Sequence, residues 1–289
     1  MGLNKEEFLA LENKARELRK LTVDTVMWAG GGHIGGALSA IDILTLLYYK
    51  YMNIDVSNPK WEDRDRFVLS KGHIGVGFAP VLADKGFFDK ELLKTYNHTY
   101  SKLGMHLDKN KVVGLDASTG SLGHGLSIAL GMALGGRLLG KNFKAYCLLG
   151  DGECNEGSVW EAAMAIAHFK ATNVITIIDR NKCMIDGRTE DVMSLEPFAD
   201  KWEAFGFEVR TVDGHDLYAL TEVLDYAIKA ENKPVAIIAD TLKGCGVADI
   251  QDDYRYHYAS VSEDAAAKYK KQIDEYHDKR LKLQEKSNG

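Results

Sequence analysis

Short runs rich in β-branched residues, set between stretches of helical period, restrict the folding of this chain more than any other feature. They are RFVLS at Arg66–Ser70, AYCLLG at Ala145–Gly150, VITIID at Val174–Asp179, EVRTV at Glu208–Val212 and VAIIADT at Val235–Thr241. Their near-continuous hydrophobicity suits strands covered on both faces, which is the condition of a parallel sheet. Between them, Leu122–Leu139, Ser158–Phe169 and Leu217–Ala230 carry apolar residues at helical spacing. The alternation predicts an α/β fold, a doubly wound, mostly parallel sheet flanked by helices, with ligands beyond the carboxyl ends of the strands.

The 289 residues exceed the ~100–200 of an average domain, but one large α/β unit of this size buries a substantial core. No repeat, low-complexity tract or Pro/Gly/Ser linker divides the chain. The expected organisation is one domain over residues 1–261 and a charged helical extension over 262–289. In that extension Ser262–Lys286 has sparse apolar positions, so it reads as an exposed helix that packs lightly, either solvated or meeting a partner. The first twenty residues read as an amphipathic helix and lack the apolar core of a signal peptide; no stretch is long and apolar enough to span a membrane. A formal charge of −6 argues against a general electrostatic hold on nucleic acid and leaves small anionic substrates open. Cys147, Cys154, Cys183 and Cys245 have neither CxxC spacing nor the density of a disulfide scaffold, so reduced thiols and a cytoplasmic location are expected.

Chemistry concentrates in Gly150–Gly187, GDGECNEGSVWEAAMAIAHFKATNVITIIDRNKCMIDG. The order is strand end, Gly-Asp-Gly, helix, strand, Asn-Lys-Cys: a βαβ unit with polar residues at both strand ends. Adjacent parallel strands lie only ~5 Å apart, so Asp151 and Asn181 can reach one ion. Magnesium takes hard oxygen donors, and a carboxylate, an amide oxygen and a backbone carbonyl meet that demand. Gly152, lacking a Cβ, lets backbone N–H groups approach a diphosphate, and the helix starting near Gly157 adds a favourable dipole. Gly-Asp-Gly alone is equally the mark of a tight turn.

With its helix, its second strand, and Asn181 followed by Ile185-Asp186-Gly187, the segment resembles the thiamine-diphosphate-binding motif. Four further segments resemble, in order, the N-terminal region of transketolases: Gly30–Leu44 (GGGHIGGALSAIDIL), Asp63–Gly77 (DRDRFVLSKGHIGVG), Gly104–Gly135 (GMHLDKNKVVGLDASTGSLGHGLSIALGMALG) and Lys243–Ser260 (KGCGVADIQDDYRYHYAS). The match covers roughly Glu12–Val261. It implies that Asp151, Asn181 and the backbone carbonyl of Cys183 ligate Mg²⁺, while Gly152 and Asn181 hold the diphosphate of thiamine diphosphate. It implies substrate-facing histidines at His33 and His106, a diphosphate-side histidine at His73, and one reaching both at His257. Gly120, Ser121 and Leu122 match the stretch that holds the cofactor rings, with Ile185 against the thiazolium. Histidines suit such work because they exchange protons with sugar hydroxyls near neutral pH.

Three positions depart from the family pattern. YRYHYAS lacks the usual small residues after His257, His124 stands where glutamine is common, and Arg180 precedes Asn181 where an acidic or other polar residue is frequent. The latter two alter substrate preference or contacts with a second chain, or are neutral.

The resemblance ends where a full transketolase continues into a pyrimidine-binding domain and a third domain. It therefore implies a separate partner carrying the pyrimidine-domain glutamate, in an α₂β₂ assembly. The implied activity is transfer of a two-carbon ketol unit from a ketose, usually phosphorylated, to an aldose, with the donor open among ordinary, branched and sulfonated sugars. Glu156 matches a residue near the partner's glutamate; its plain alternative is a solvated carboxylate favoured at a helix start. Two rival functions are the α subunit of a 2-oxo-acid dehydrogenase, disfavoured by DRFVLSKGH and the histidines, and a noncatalytic cofactor-binding homologue.

Overall fold

The computed structural model describes residues 2–287. In chain order the elements are α1 (Lys5–Trp28), α2 (Ile34–Ser39), α3 (Ile41–Leu46), β1 (Arg66–Leu69), α4 (Gly75–Lys85), α5 (Gly125–Leu138), β2 (Ala145–Gly150), α6 (Gly157–His168), β3 (Val174–Arg180), α7 (Thr189–Val192), α8 (Phe198–Ala204), β4 (Glu208–Asp213), α9 (Leu217–Lys229), β5 (Val235–Asp240) and α10 (Glu263–Ser287). The strands form one sheet in the order β1-β2-β3-β5-β4, and every pairing is parallel.

Successive strand residues point to opposite faces, so each apolar run feeds two cores. Tyr146, Leu148, Ile175, Ile177 and Ile237 pack on one face with residues of α1–α4, α9 and α10. Cys147, Leu149, Ile178, Ala236 and Ile238 pack on the other with residues of α5, α6 and α8. This two-sided cover explains why alternation is missing from the central strands: both faces are dry.

Helix α1 begins with a capping box, in which Asn4 Oδ1 accepts the Glu7 N–H at 2.9 Å and the Glu7 carboxylate accepts the Asn4 N–H at 3.0 Å. Helix α10 forms where its sequence places it but packs more deeply than its charge suggests. Ala266, Ile273 and His277 are buried. His277 Nδ1 and Arg280 Nε lie 2.7 and 2.6 Å from Glu12 Oε1, so α10 is clasped to α1 by buried charge. All four cysteines are buried free thiols. Among the described residues no helix is long and apolar enough to cross a membrane.

Candidate active site

The register brings three strand ends to one level, because Gly150 pairs with Asp179 and Arg180 with Asp240. Asp151, Asn181 and Thr241 therefore leave the sheet side by side at the edge where α/β folds bind ligands. Asp151 is buried; its Oδ1 accepts the Gly152 N–H at 2.8 Å and its Oδ2 the Lys182 N–H at 2.6 Å. Burial, and then the Asp179 carboxylate, push its pKa up to about 6. A carboxylate in that state is stabilised by any cation that joins it.

Asn181 Oδ1 accepts the Cys183 N–H at 3.2 Å. Arg188 Nη1 donates to the Cys183 thiol at 3.4 Å, whereas the Cys183 and Met184 carbonyls accept from Lys243 Nζ at 3.4 and 3.2 Å. An ammonium group on these carbonyls marks a cation-seeking corner. Carboxylate, amide oxygen and carbonyl are the hard donors that fit Mg²⁺, and the soft sulfur is engaged elsewhere.

A cavity of about 300 Å³ opens on this corner. Asp151, Gly152, Glu156, Asn181, Cys183, Ile185, Gly120, Leu122, His33, His73 and His257 all line it. Ser121 and His106 are exposed and stand outside that lining, although the His106 ring packs on Gly120. Two glycines at the cavity wall have no room for a side chain. Gly120 has φ +149°, and a Cβ there would meet His106 Cδ2 at 2.8 Å; a Cβ on Gly152 would meet Met184 Cγ at 3.0 Å. The space left beside backbone amides fits a diphosphate.

A short antiparallel bridge, Gly32 N–H to Ala259 O and Ala259 N–H to Gly32 O at 3.0 Å each, holds two predicted histidines together. The His33 ring lies 5.1 Å from those of His73, His257 and Tyr258, and the His73 and His257 rings stack at 5.2 Å. Burial, then neighbouring His106 and Lys243, pushes His33 down to about 4; burial and Lys243 push His257 down to about 3, and burial with Lys71 holds His73 well below its usual value. All three are neutral at pH 7. His33 Nδ1 is buried with no hydrogen-bond partner, an orphan of the kind a bound hydroxyl would satisfy.

The sequence reading missed Lys71, Glu153 and Lys243. Lys71 Nζ pairs with Asp179 Oδ2 at 2.5 Å, and Asp179 also accepts from Ser39 Oγ at 2.6 Å and from Thr241 Oγ1. Glu153 accepts the N–H groups of Gly123 and Gly150 at 2.8 and 3.0 Å and the Ser70 hydroxyl, tying three loops of the cavity together. Burial lowers Lys243 to about 8. Lysine and glutamate are almost never fully buried unless paired, and their place inside matched motifs was the available signal. Of the departures, His124 is exposed at the start of α5, while Arg180 pairs with Glu196 and lies 5.5 Å from the Phe198 ring centre. Glu156 is exposed at the start of α6 and makes no side-chain cap bond.

A doubly wound sheet with hard oxygen donors at adjacent strand ends and buried lysines around one cavity is the architecture of an α/β protein with a ligand site suited to a phosphorylated cofactor. The family described as transketolase, thiamine diphosphate binding domain, matches residues 11–286, and the chain belongs to it. It is 40% identical over 259 residues to the 6-deoxy-6-sulfo-D-fructose transketolase subunit of Clostridium sp. (strain MSTE9), covering 90% of this chain and 94% of that one. It is 39% identical over 282 residues to an apulose-4-phosphate transketolase subunit of Phocaeicola vulgatus, covering 96% and 98%. The crystal structure of transketolase from Campylobacter jejuni superposes with a TM-score of 0.85 at 32% identity over 91% of this chain, which spans only 42% of that protein.

Proposed function

We propose that this chain is the cofactor-binding subunit of a two-chain, cytoplasmic transketolase that moves a two-carbon ketol unit from a ketose, typically a phosphate, to an aldose. The observation that carries the reading is one cavity joining an oxygen-donor corner at Asp151, Asn181 and Cys183 to the neutral histidines His33, His73 and His257. Thiamine diphosphate, when bound, supplies the carbanion chemistry.

The chain's own residues bind and orient. Asp151, Asn181 and the Cys183 carbonyl hold Mg²⁺, while Gly152, Asn181, His73 and His257 hold the diphosphate, with Lys243 added to that set. Gly120, Ser121, Leu122 and Ile185 flank the rings. His33, His106 and His257 exchange protons with the sugar hydroxyls; the neutral state of His33 and His257 lets each ring accept a proton at one nitrogen while donating at the other. Glu156 faces the partner's carboxyl group.

Two relatives named as subunits, matched over nearly their whole length, support a separate C-terminal chain with the pyrimidine-binding domain, assembled as α₂β₂. The purified chain is therefore expected to show no ketol transfer alone and to gain it on titration with that partner, levelling off near equimolar subunits. Full activity from the chain by itself, with copurifying partner excluded by mass spectrometry, would refute the reading.

A further inference from the structure

Lys243 belongs to loop 241–246, which follows β5 and is held from the side away from the cavity. The Leu242 N–H donates to His215 Nε2 at 2.9 Å. His215 Nδ1 lies 2.8 Å from Asp42 Oδ2. Arg19 grips Asp42 through two bonds, Nη1 to Oδ1 at 2.9 Å and Nη2 to Oδ2 at 2.6 Å, and its Nε donates to the Cys245 carbonyl of the same loop at 3.3 Å. Arg19 and Asp42 are fully buried and His215 nearly so. We propose that His215, braced by Asp42 and Arg19, is a positioning residue that presents Lys243 to the anionic end of the cofactor. This rests on the cavity's assignment to thiamine diphosphate.

The hydrogen bonds matter because apolar burial does little for the loop at this point: the Leu242 side chain is exposed. Imidazole is suited to the task, since its two nitrogens lie on opposite edges of a rigid ring and join two points, one donating and one accepting. Burial disfavours a charged ring while Cys245 and Asp42 push His215 up to about 10; against that pull the Leu242 N–H requires an unprotonated Nε2, which leaves the ring's proton on Nδ1 towards Asp42. On the far side of the loop Lys243 Nζ reaches the Cys183 and Met184 carbonyls and lies 3.2 Å from His257 Nδ1. A slack backbone at Leu242 moves this ammonium group directly.

Asp42, His215 and Cys245 offer ligand atoms within 4.8 Å of one another, as a zinc site would. The carboxylate and imidazole are already engaged, and the Cys245 thiol donates to Tyr276 Oη at 3.2 Å. Arg19 occupies both Asp42 oxygens, the Leu242 N–H occupies His215 Nε2, and a guanidinium already supplies the positive charge. The cluster is a brace for the loop.

The test is a double-mutant cycle on the full chain in complex with its partner, read as thiamine diphosphate affinity by calorimetry at saturating Mg²⁺. Lys243→Met is expected to weaken binding about tenfold or more and His215→Leu about tenfold, with the double variant no weaker than Lys243→Met. His215→Gln, which keeps an acceptor for the Leu242 N–H, should recover most of the loss, and His215→Ala, which has no acceptor, takes the place of His215→Leu in the cycle if that variant does not fold. Losses that multiply in the double variant would show His215 acting independently of Lys243 and overturn the inference. So would stoichiometric zinc in the wild type that disappears in His215→Leu. If Lys243→Met leaves affinity unchanged while Asp151→Asn weakens it, the inference falls and the cavity assignment stands; if neither variant changes affinity, both fall.

Discussion

Two clusters of buried charge meet at loop 241–246, and they are built on opposite terms. Beneath α10, each carboxylate has its partners: Glu12 takes His277 and Arg280, and Asp42 takes Arg19 and His215. Burial alone would raise the Asp42 carboxyl, yet Arg19 and Arg280 hold it well below the usual range. In the cavity the balance is left incomplete. Asp151 is pushed up to about 6, Lys243 is pushed down to about 8, and His33 Nδ1 has no partner. Both clusters are buried and charged, so burial does not separate them; completeness of pairing does. A buried charge with every partner present belongs to the architecture, whereas one left short beside a cavity is arranged for something that binds.

That contrast breaks first at Arg19. Arg19→Met leaves Asp42 buried without its main counter-charge and should cost about 3–5 kcal/mol of stability, read from urea denaturation. A loss below about 1 kcal/mol would mean that the brace beneath α10 is not an architectural pair. Charge removal in the cavity should act in the other direction. Asp151→Asn should weaken Mg²⁺-dependent thiamine diphosphate binding about tenfold or more at limiting Mg²⁺, while the ligand-free chain is no less stable, because the native state already disfavours that carboxylate. Unchanged affinity by calorimetry would remove Asp151 from the metal set.

The smallest effect is in acid. His33 and His257 titrate near 4 and 3 in the folded chain against 6.5 unfolded. Below pH 6.5 the unfolded chain takes protons that the native rings refuse, so the stability these groups contribute is full above 6.5 and is lost as pH falls towards 4 and 3. Both rings are partly exposed, and solvent screening keeps the loss modest. In His33→Asn the urea midpoint should fall less between pH 7 and pH 4.5 than in the wild type; an identical fall would assign the acid sensitivity to other groups.

Much of this was legible in the sequence because it is local. The apolar runs announce strands dry on both faces, and Gly150–Gly187 carries its βαβ order and polar strand ends within one unit. What escaped is non-local. The place of Thr241 beside Asp151 and Asn181 depends on register, which pairs residues from separate runs. Nothing local marks Lys71 and Lys243 as buried, since lysine usually stays at the surface. The inner face of α10 is made partly of His277 and Arg280, and nothing near them in sequence reveals that Glu12 waits on α1.

The bridge between Gly32 and Ala259 also sets a schedule. It joins backbone near the start of the chain to backbone close to its end, and contacts of such long sequence separation close late in folding. During synthesis, the strand ends at Asp151 and Asn181 emerge well before His257 can come to rest against His33. The wall of the cavity that His257 supplies is therefore in place only after the ribosome has released the segment through Ser260.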